Sequence, residues 1–311
     1  MPLTNFPNGV ASFGVPVIGS GPILTTGNVF FVSSTATGRS DSTAAGRDPL
    51  TPFATIDYAI GQCTASNGDF IIVEPGHTET VTAAAGIALD VAGVTIIGLG
   101  NGSNRPTVTF TTAVGASFRV TAANCTVRNI LFVGGIDALT NPIHVQAADF
   151  WLDGCETRDT AGSAQATDWI LTTAAATRMR ITGHRHDGDT AAGANSWLAI
   201  VGGDGIVVDG LRCDGNFAVG GIDVRTTATT DLEVRNVVFR TRNAADIFLV
   251  DTITASTGMI GPSIYLRLND NAANITESIT GATWVLFDDI FVVNLAGEKA
   301  MAINTTASTD A

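Results

Sequence analysis

The chain has 311 residues, 45% of them hydrophobic but only 14% charged, with a net charge of −13, against about 25% charged in an average soluble protein. Lys299 is the only lysine, so a duplex-binding surface, which needs clustered Lys and Arg, is excluded. No apolar run reaches membrane-spanning length, and Cys63, Cys125, Cys155 and Cys213 are too widely spaced for a zinc ribbon or a dense disulfide scaffold.

Residues 1–28 mix Phe6, Phe13, Val15, Val17, Ile18 and Ile23 with Gly and Pro. Such a segment cannot form a core alone. It reads as an extended N-terminal arm whose apolar side chains mark an interface. It has neither a basic nor an apolar leader region, which predicts a soluble chain not exported by a signal of its own. Residues 29–63 read as an opening strand and a capping helix. In "DPLTPFATIDYAIGQC", Thr55 is the expected N-cap, and Ile56, Ala59, Ile60 and Cys63 form one apolar stripe. That helix should plug one end of whatever core follows. "GDFIIVEPG" is then the first repeated strand, with Pro75 and Gly76 at a corner. His77 beside Glu74 and Glu79 is expected to face water.

Residues 64–262 carry a repeat. "GVTIIGLG", "NCTVRNILF", "DFWLDGCET", "RMRITGHRH", "GIVVDGLRC" and "DLEVRNVVF" share one frame, centred on bends at Gly98, Asn129, Gly154, Gly183, Gly210 and Asn236. Two and four residues before each bend the side chain is apolar in all six frames. Chance gives that in roughly one of 10⁴ trials in a fixed register. Period 2 means a strand with one buried face, and Gly or Asn tolerates the left-handed backbone of a corner. A second apolar strand follows in each repeat, as in "TVTF", "PIHVQ" and "DWILTT". Short strands stacked every 25–31 residues describe an all-β chain wound as a parallel β-helix, a single-stranded solenoid. Residues 263–311, including "TWVLFDDIFVVNLAGEKAMAINTT", read as a C-terminal β cap or oligomerisation element.

Within the frame, Asp153 and Asp209 stand just before a bend, and Asp187 and Asp214 four residues after one. In a solenoid Asp187 and Asp214 would lie one coil apart, roughly 5 Å, and Asp153 and Asp209 two coils apart, roughly 9–10 Å. These are the separations of retaining and inverting glycosidases. The same columns also carry Arg128 and Arg235, and Arg158 and Arg240. Alternating charge down a stack is what surface ladders favour, so the structural reading leads and catalysis is the minority one. "GHRHDGD" puts His184 and His186 at inward positions, with Cys213 one coil away. That trio could take zinc or another soft ion, but lacks a fourth ligand, and neutral core histidines are the simpler expectation. No cofactor is expected, and the glycines of "GLGNGSNRP" precede no helix for a nucleotide phosphate.

"TPFATIDYAI" followed by "GDFIIVEPGHTETV" resembles the opening segment of pectate-lyase-like right-handed β-helices. The two ends, "MPLTNFPNGVASFGVPVIGSG" and "NLAGEKAMAINTTASTDA", resemble β-helix proteins encoded by tailed bacteriophages. The resemblance implies a structural virion protein: a head decoration, a head fibre, or a vertex or tail spike. It implies a homotrimer, with capsid or tail proteins as partners; the apolar residues of the arm lead us to expect that it docks the chain onto the particle or threads between subunits. The alternative is a tail spike that binds or degrades a host-surface glycan as a glycoside hydrolase or polysaccharide lyase. A free-standing lectin-like β-helix is a more distant option. No nucleic acid and no membrane are expected as partners.

Overall fold

The structure, a computed structural model, describes residues 25–160, 165–188, 194–242, 247–267 and 279–293, apart from 26, 254, 281–282 and 288. It also gives the backbone of strands 10–12, 15–18, 21–22 and 299–301.

Three parallel sheets form the walls of a right-handed β-helix of about eight turns. Sheet 1 holds the strand before each bend, ten in all from Val29–Val32 to Trp284–Leu286. Sheet 2 holds the strand after it, from Thr78–Val81 to Lys299–Met301. Sheet 3 is seven-stranded, from Ile87–Leu89 to Leu249–Asp251. Ile96, Val127, Leu152, Ile181, Val208 and Val234 stand opposite one another down sheet 1, in the register that the sequence frame requires. All twelve side chains at the two inward positions of the frame are at most 1% exposed. Burying an aliphatic side chain that fully stabilises by about 1.5–3 kcal/mol, and each is covered only when its neighbouring coils are in place. "TVTF" belongs to sheet 2 rather than with "PIHVQ" and "DWILTT" in sheet 3.

Asn129, Gly154, Gly183, Gly210 and Asn236 have φ between +54° and +76°, the left-handed corner that the frame demands. Gly98 does not. It ends the strand Thr95–Gly98, and the chain turns through residues 99–106, which include a short 3-10 turn at Gly102–Asn104. Gly102, aligned by sequence with Arg158 and Asp187, is therefore not in their column; Thr109 takes its place. Gly98 needs to be glycine for another reason. A Cβ there would lie 2.4 Å from the Asn129 carbonyl oxygen, and the Asn129 side-chain amide donates to the carbonyls of Gly98 and Gly100, each at 2.8 Å.

A second left-handed corner, missed in the sequence, opens each sheet 1 strand. Gly93, Asn124, Asp149, Arg178, Gly205 and Asp231 all have φ between +51° and +76°. Each stands five positions ahead of a frame centre (124 and 129, 149 and 154, 178 and 183).

The helix Ile56–Gly61 is capped by Thr55, whose hydroxyl accepts from the Tyr58 amide. Ile56, Ala59 and Ile60 enter the core cluster, closing the N-terminal end of the stack. The backbone at the N-terminus departs from an extended arm. Val10–Ser12, Val15–Ile18 and Gly21–Pro22 form a three-stranded antiparallel meander, because two β-prone runs separated by two residues close as a hairpin. Val15, Val17 and Ile18 lie in its middle strand; Phe6, Phe13 and Ile23 lie outside the described residues. At the other end, 262/263 is not a boundary of the stack. Ile264–Arg267, Trp284–Leu286 and Ile290–Val293 continue the parallel ladders, and only Lys299–Met301 reverses direction.

Candidate functional site

The outward column just before the bends runs Arg128, Asp153, Thr182, Asp209, Arg235 in direct register. Asp153 accepts from Arg128 Nε at 2.7 Å and from the Thr182 hydroxyl at 2.6 Å. Asp209 accepts from Arg235 Nε at 2.9 Å and from the Asn236 amide at 2.7 Å. Partial burial raises the Asp209 carboxyl, but the bonds from Asn236 and Arg235 outweigh it and leave it below the usual range. A glycosidase acid needs the opposite shift.

The second column runs Arg158, Asp187, Asp214, Arg240. Asp214 accepts from Arg242 at 2.6 and 3.1 Å and from Arg240 at 3.3 Å. Asp187 stands 3.6 Å from Arg185, while Arg158 turns to Glu156 at 2.5 Å. Each of the four aspartates has an arginine within salt-bridge reach, and pairs with it before any substrate arrives.

His184 and His186 point into the core and are 1% and 2% exposed. They share one partner: the Thr157 hydroxyl is 3.0 Å from His184 Nε2 and 3.0 Å from His186 Nδ1. A hydroxyl both donates and accepts, so it serves one nitrogen of each neutral imidazole at once, while His184 Nδ1 and His186 Nε2 are buried without a hydrogen-bond partner. Burial is the main cause that pushes both down to about 3. Cys213 is directly opposite His186, and burial holds its thiol well above the ordinary value. No group of three or more His, Cys, Asp or Glu among the described residues is placed to hold a metal ion.

No family model matches the chain, and no curated protein matches it. Among solved structures, a rhamnogalacturonan lyase superposes with a TM-score of 0.47 at 13% identity, over 78% of this chain and 73% of that one.

His77 departs from the sequence expectation. It is fully buried, with Nε2 3.2 Å from Glu79. Glu79 also accepts from the Ile56 amide at 2.9 Å. The pair faces the capping helix, not water, because the plug folds over the first corner. Two further polar clusters escaped the sequence reading. Arg225 bridges Asp168 at 2.5 Å and Asp223 at 3.0 Å, and Asp168 also accepts from Ser196. Burial raises the Asp223 carboxyl. Both carboxylates are under 5% exposed, so neither presents to a polymer. Asp159 accepts from the Trp169 indole at 2.8 Å inside the wall. The signal was an Asp on two sheet 3 strands, "DWILTT" and "GIDVRT", but only the folded coils bring them together.

Proposed function

We propose that the chain is a non-catalytic structural protein of a tailed-bacteriophage particle, a homotrimer carried as a head decoration, head fibre, or vertex or tail spike. The observation that carries the non-catalytic part is the carboxylate columns. A glycanase keeps one carboxyl protonated and open to substrate. Here Asp153, Asp209 and Asp214 are each held by arginine together with a further hydrogen-bond donor. The resemblance of both termini to phage β-helix proteins supports the particle.

Self-association is supported by the distribution of apolar surface. Six of the nine exposed large apolar side chains among the described residues are Val238, Met259, Tyr265, Val285, Phe287 and Phe291. They cluster on sheets 1 and 2 at the C-terminal end, where Tyr265 and Phe291 stack at 5.4 Å. Contiguous apolar patches on a soluble protein mark contacts with partners.

The test is mass spectrometry and electron cryo-microscopy of purified particles from a phage encoding this chain. Presence at fixed stoichiometry supports the reading; absence overturns it. Deleting residues 1–24 should leave a folded protein that no longer incorporates. Normal incorporation of the truncated chain would refute the anchoring role.

A further inference from the structure

A shallow groove of about 410 Å³ runs along the outside of sheet 1. One side is the left-handed corner column, Asn124, Asp149, Arg178 and Gly205; the other includes Trp151 and Arg180. It crosses four consecutive coils, and three coil steps span roughly 14 Å.

Trp151 is 36% exposed, whereas Trp169, Trp197 and Trp284 are buried. An indole exposed to that extent leaves apolar surface in water. It is also fixed. Its Nε1 donates to the Thr182 hydroxyl at 2.7 Å, which donates in turn to Asp153 at 2.6 Å. The Arg128 guanidinium stands 5.8 Å from the ring centre. Directly opposite Trp151 on the next coil is Arg180, about 4.8 Å away along the stack. Arg128 and Arg178 are engaged with Asp153 and Asp149; Arg180 has no salt-bridge partner among the described residues. Asp149 is gripped by Arg178 through two bonds, 2.8 and 2.6 Å. That grip holds its carboxyl below the ordinary range and cancels both charges. Gly205 places no side chain over Arg178, where a Cβ would lie 3.6 Å from its Cγ.

The groove thus combines a rigid aromatic surface, a guanidinium a coil away that makes no salt bridge among the described residues, and a net positive charge, since Arg178 and Arg180 both face the one carboxylate of the lining, Asp149. This local positive charge belongs to a chain of net charge −13, which repels polyanions as dense as nucleic acid. We propose that the groove binds an acidic glycan: a pyranose ring packs on Trp151, its carboxylate pairs with Arg180 as a two-bond fork, and neighbouring hydroxyls reach Asn124 and Asp149. No bond is made or broken. This inference is independent of the particle reading, since it concerns the isolated chain.

Binding is measured on the purified full-length protein by tryptophan fluorescence and calorimetry, with tetraguluronate, sialyllactose, neutral maltotetraose and a single-stranded oligonucleotide as probes. At least one acidic sugar should give a saturable fluorescence change, because only one of the four indoles is open. Trp151→Ala should abolish that change and weaken calorimetric binding by tenfold or more. Arg180→Gln should weaken the acidic sugar by about tenfold and leave its methyl ester unaffected. Both variants should melt like the wild type, since both positions face outward. The proposal fails if no acidic probe binds, if Trp151→Ala binds as the wild type, if the methyl ester binds as tightly as the acid, or if only the oligonucleotide or maltotetraose binds.

Discussion

Thr157 carries more of the core's polar balance than its size suggests. The inward column of sheet 2 runs Phe132, Thr157, His186, Cys213, Phe239, so one hydroxyl and one imidazole interrupt an apolar stack. Thr157→Val keeps the shape but leaves two buried nitrogens unpaired. At about 1–3 kcal/mol for each unsatisfied group, it should destabilise by about 2–6 kcal/mol in urea denaturation; a loss below 0.5 kcal/mol would refute the shared bond. The same pair sets a pH dependence. Both imidazoles titrate near 3 in the folded chain against the usual 6.5. The unfolded chain therefore binds more protons between these values, and stability falls as pH drops from about 6.5 towards 3. Carboxyls raised by burial, Asp223 and Asp251, have the opposite slope, so the informative quantity is a difference. Replacing both histidines by Leu and Met should flatten the fall in melting temperature between pH 6.5 and 4, compared with the wild type. Equal slopes would mean that the imidazoles are not buried neutral.

Among the elements, the sheet 1 strand with its two corners is the most constrained. Asn129 combines φ +54° with two side-chain bonds to the preceding coil. Asn129→Ala keeps a Cβ in the left-handed region but loses the polar side chain that lets Asn tolerate it, at up to about 1–2 kcal/mol, and removes both bonds, at about 0.5–1.5 kcal/mol each. It should cost about 2–4 kcal/mol; Asn129→Gly, free of the backbone penalty, should cost at least 1 kcal/mol less by the same denaturation. Much of this element was legible in the sequence. Alternating Val, Ile and Leu before a Gly or Asn specify both the buried face and the bend, and the register across six coils follows. Gly98 was misplaced because its glycine serves a close approach to Asn129 rather than a left-handed angle. The first corner was overlooked because Arg178 breaks a column otherwise made of Gly, Asn and Asp. Contacts such as Arg225 to Asp168, 57 residues apart, and the Trp151 groove depend on three or four coils at once. No single segment contains them.

For the whole molecule, the two ends differ. The N-terminal end is closed by Ile56, Ala59 and Ile60 of the helix. The C-terminal end exposes Tyr265, Val285 and Phe291. If copies meet there, Tyr265→Glu combined with Phe291→Glu should convert the oligomer to monomers in light scattering, with the circular dichroism of the sheets retained. An unchanged mass would place the contact elsewhere. Nearest-neighbour stacking also dictates how the solenoid comes apart. Amide exchange should be slowest in the central strands, Trp151–Asp153 through Val207–Asp209, and in the monomeric variant should quicken first from the C-terminal coils.

The paired left-handed corners also govern where this chain can change length. They bracket a span of fixed size in five successive coils, so inserting or deleting a residue there would throw every outward column out of phase. The passage from sheet 2 to sheet 3 has no such bracket. Only Asn216 separates Gly215 from Phe217 in one coil, whereas residues 135–142 separate Gly134 from Ile143 in another. Insertions, whether by evolution or by grafting of a foreign peptide, are absorbed at that junction. Trp151 and Arg180 would keep their alignment through such a change, and a diversified loop could be displayed on one flank while the groove on the other stays intact.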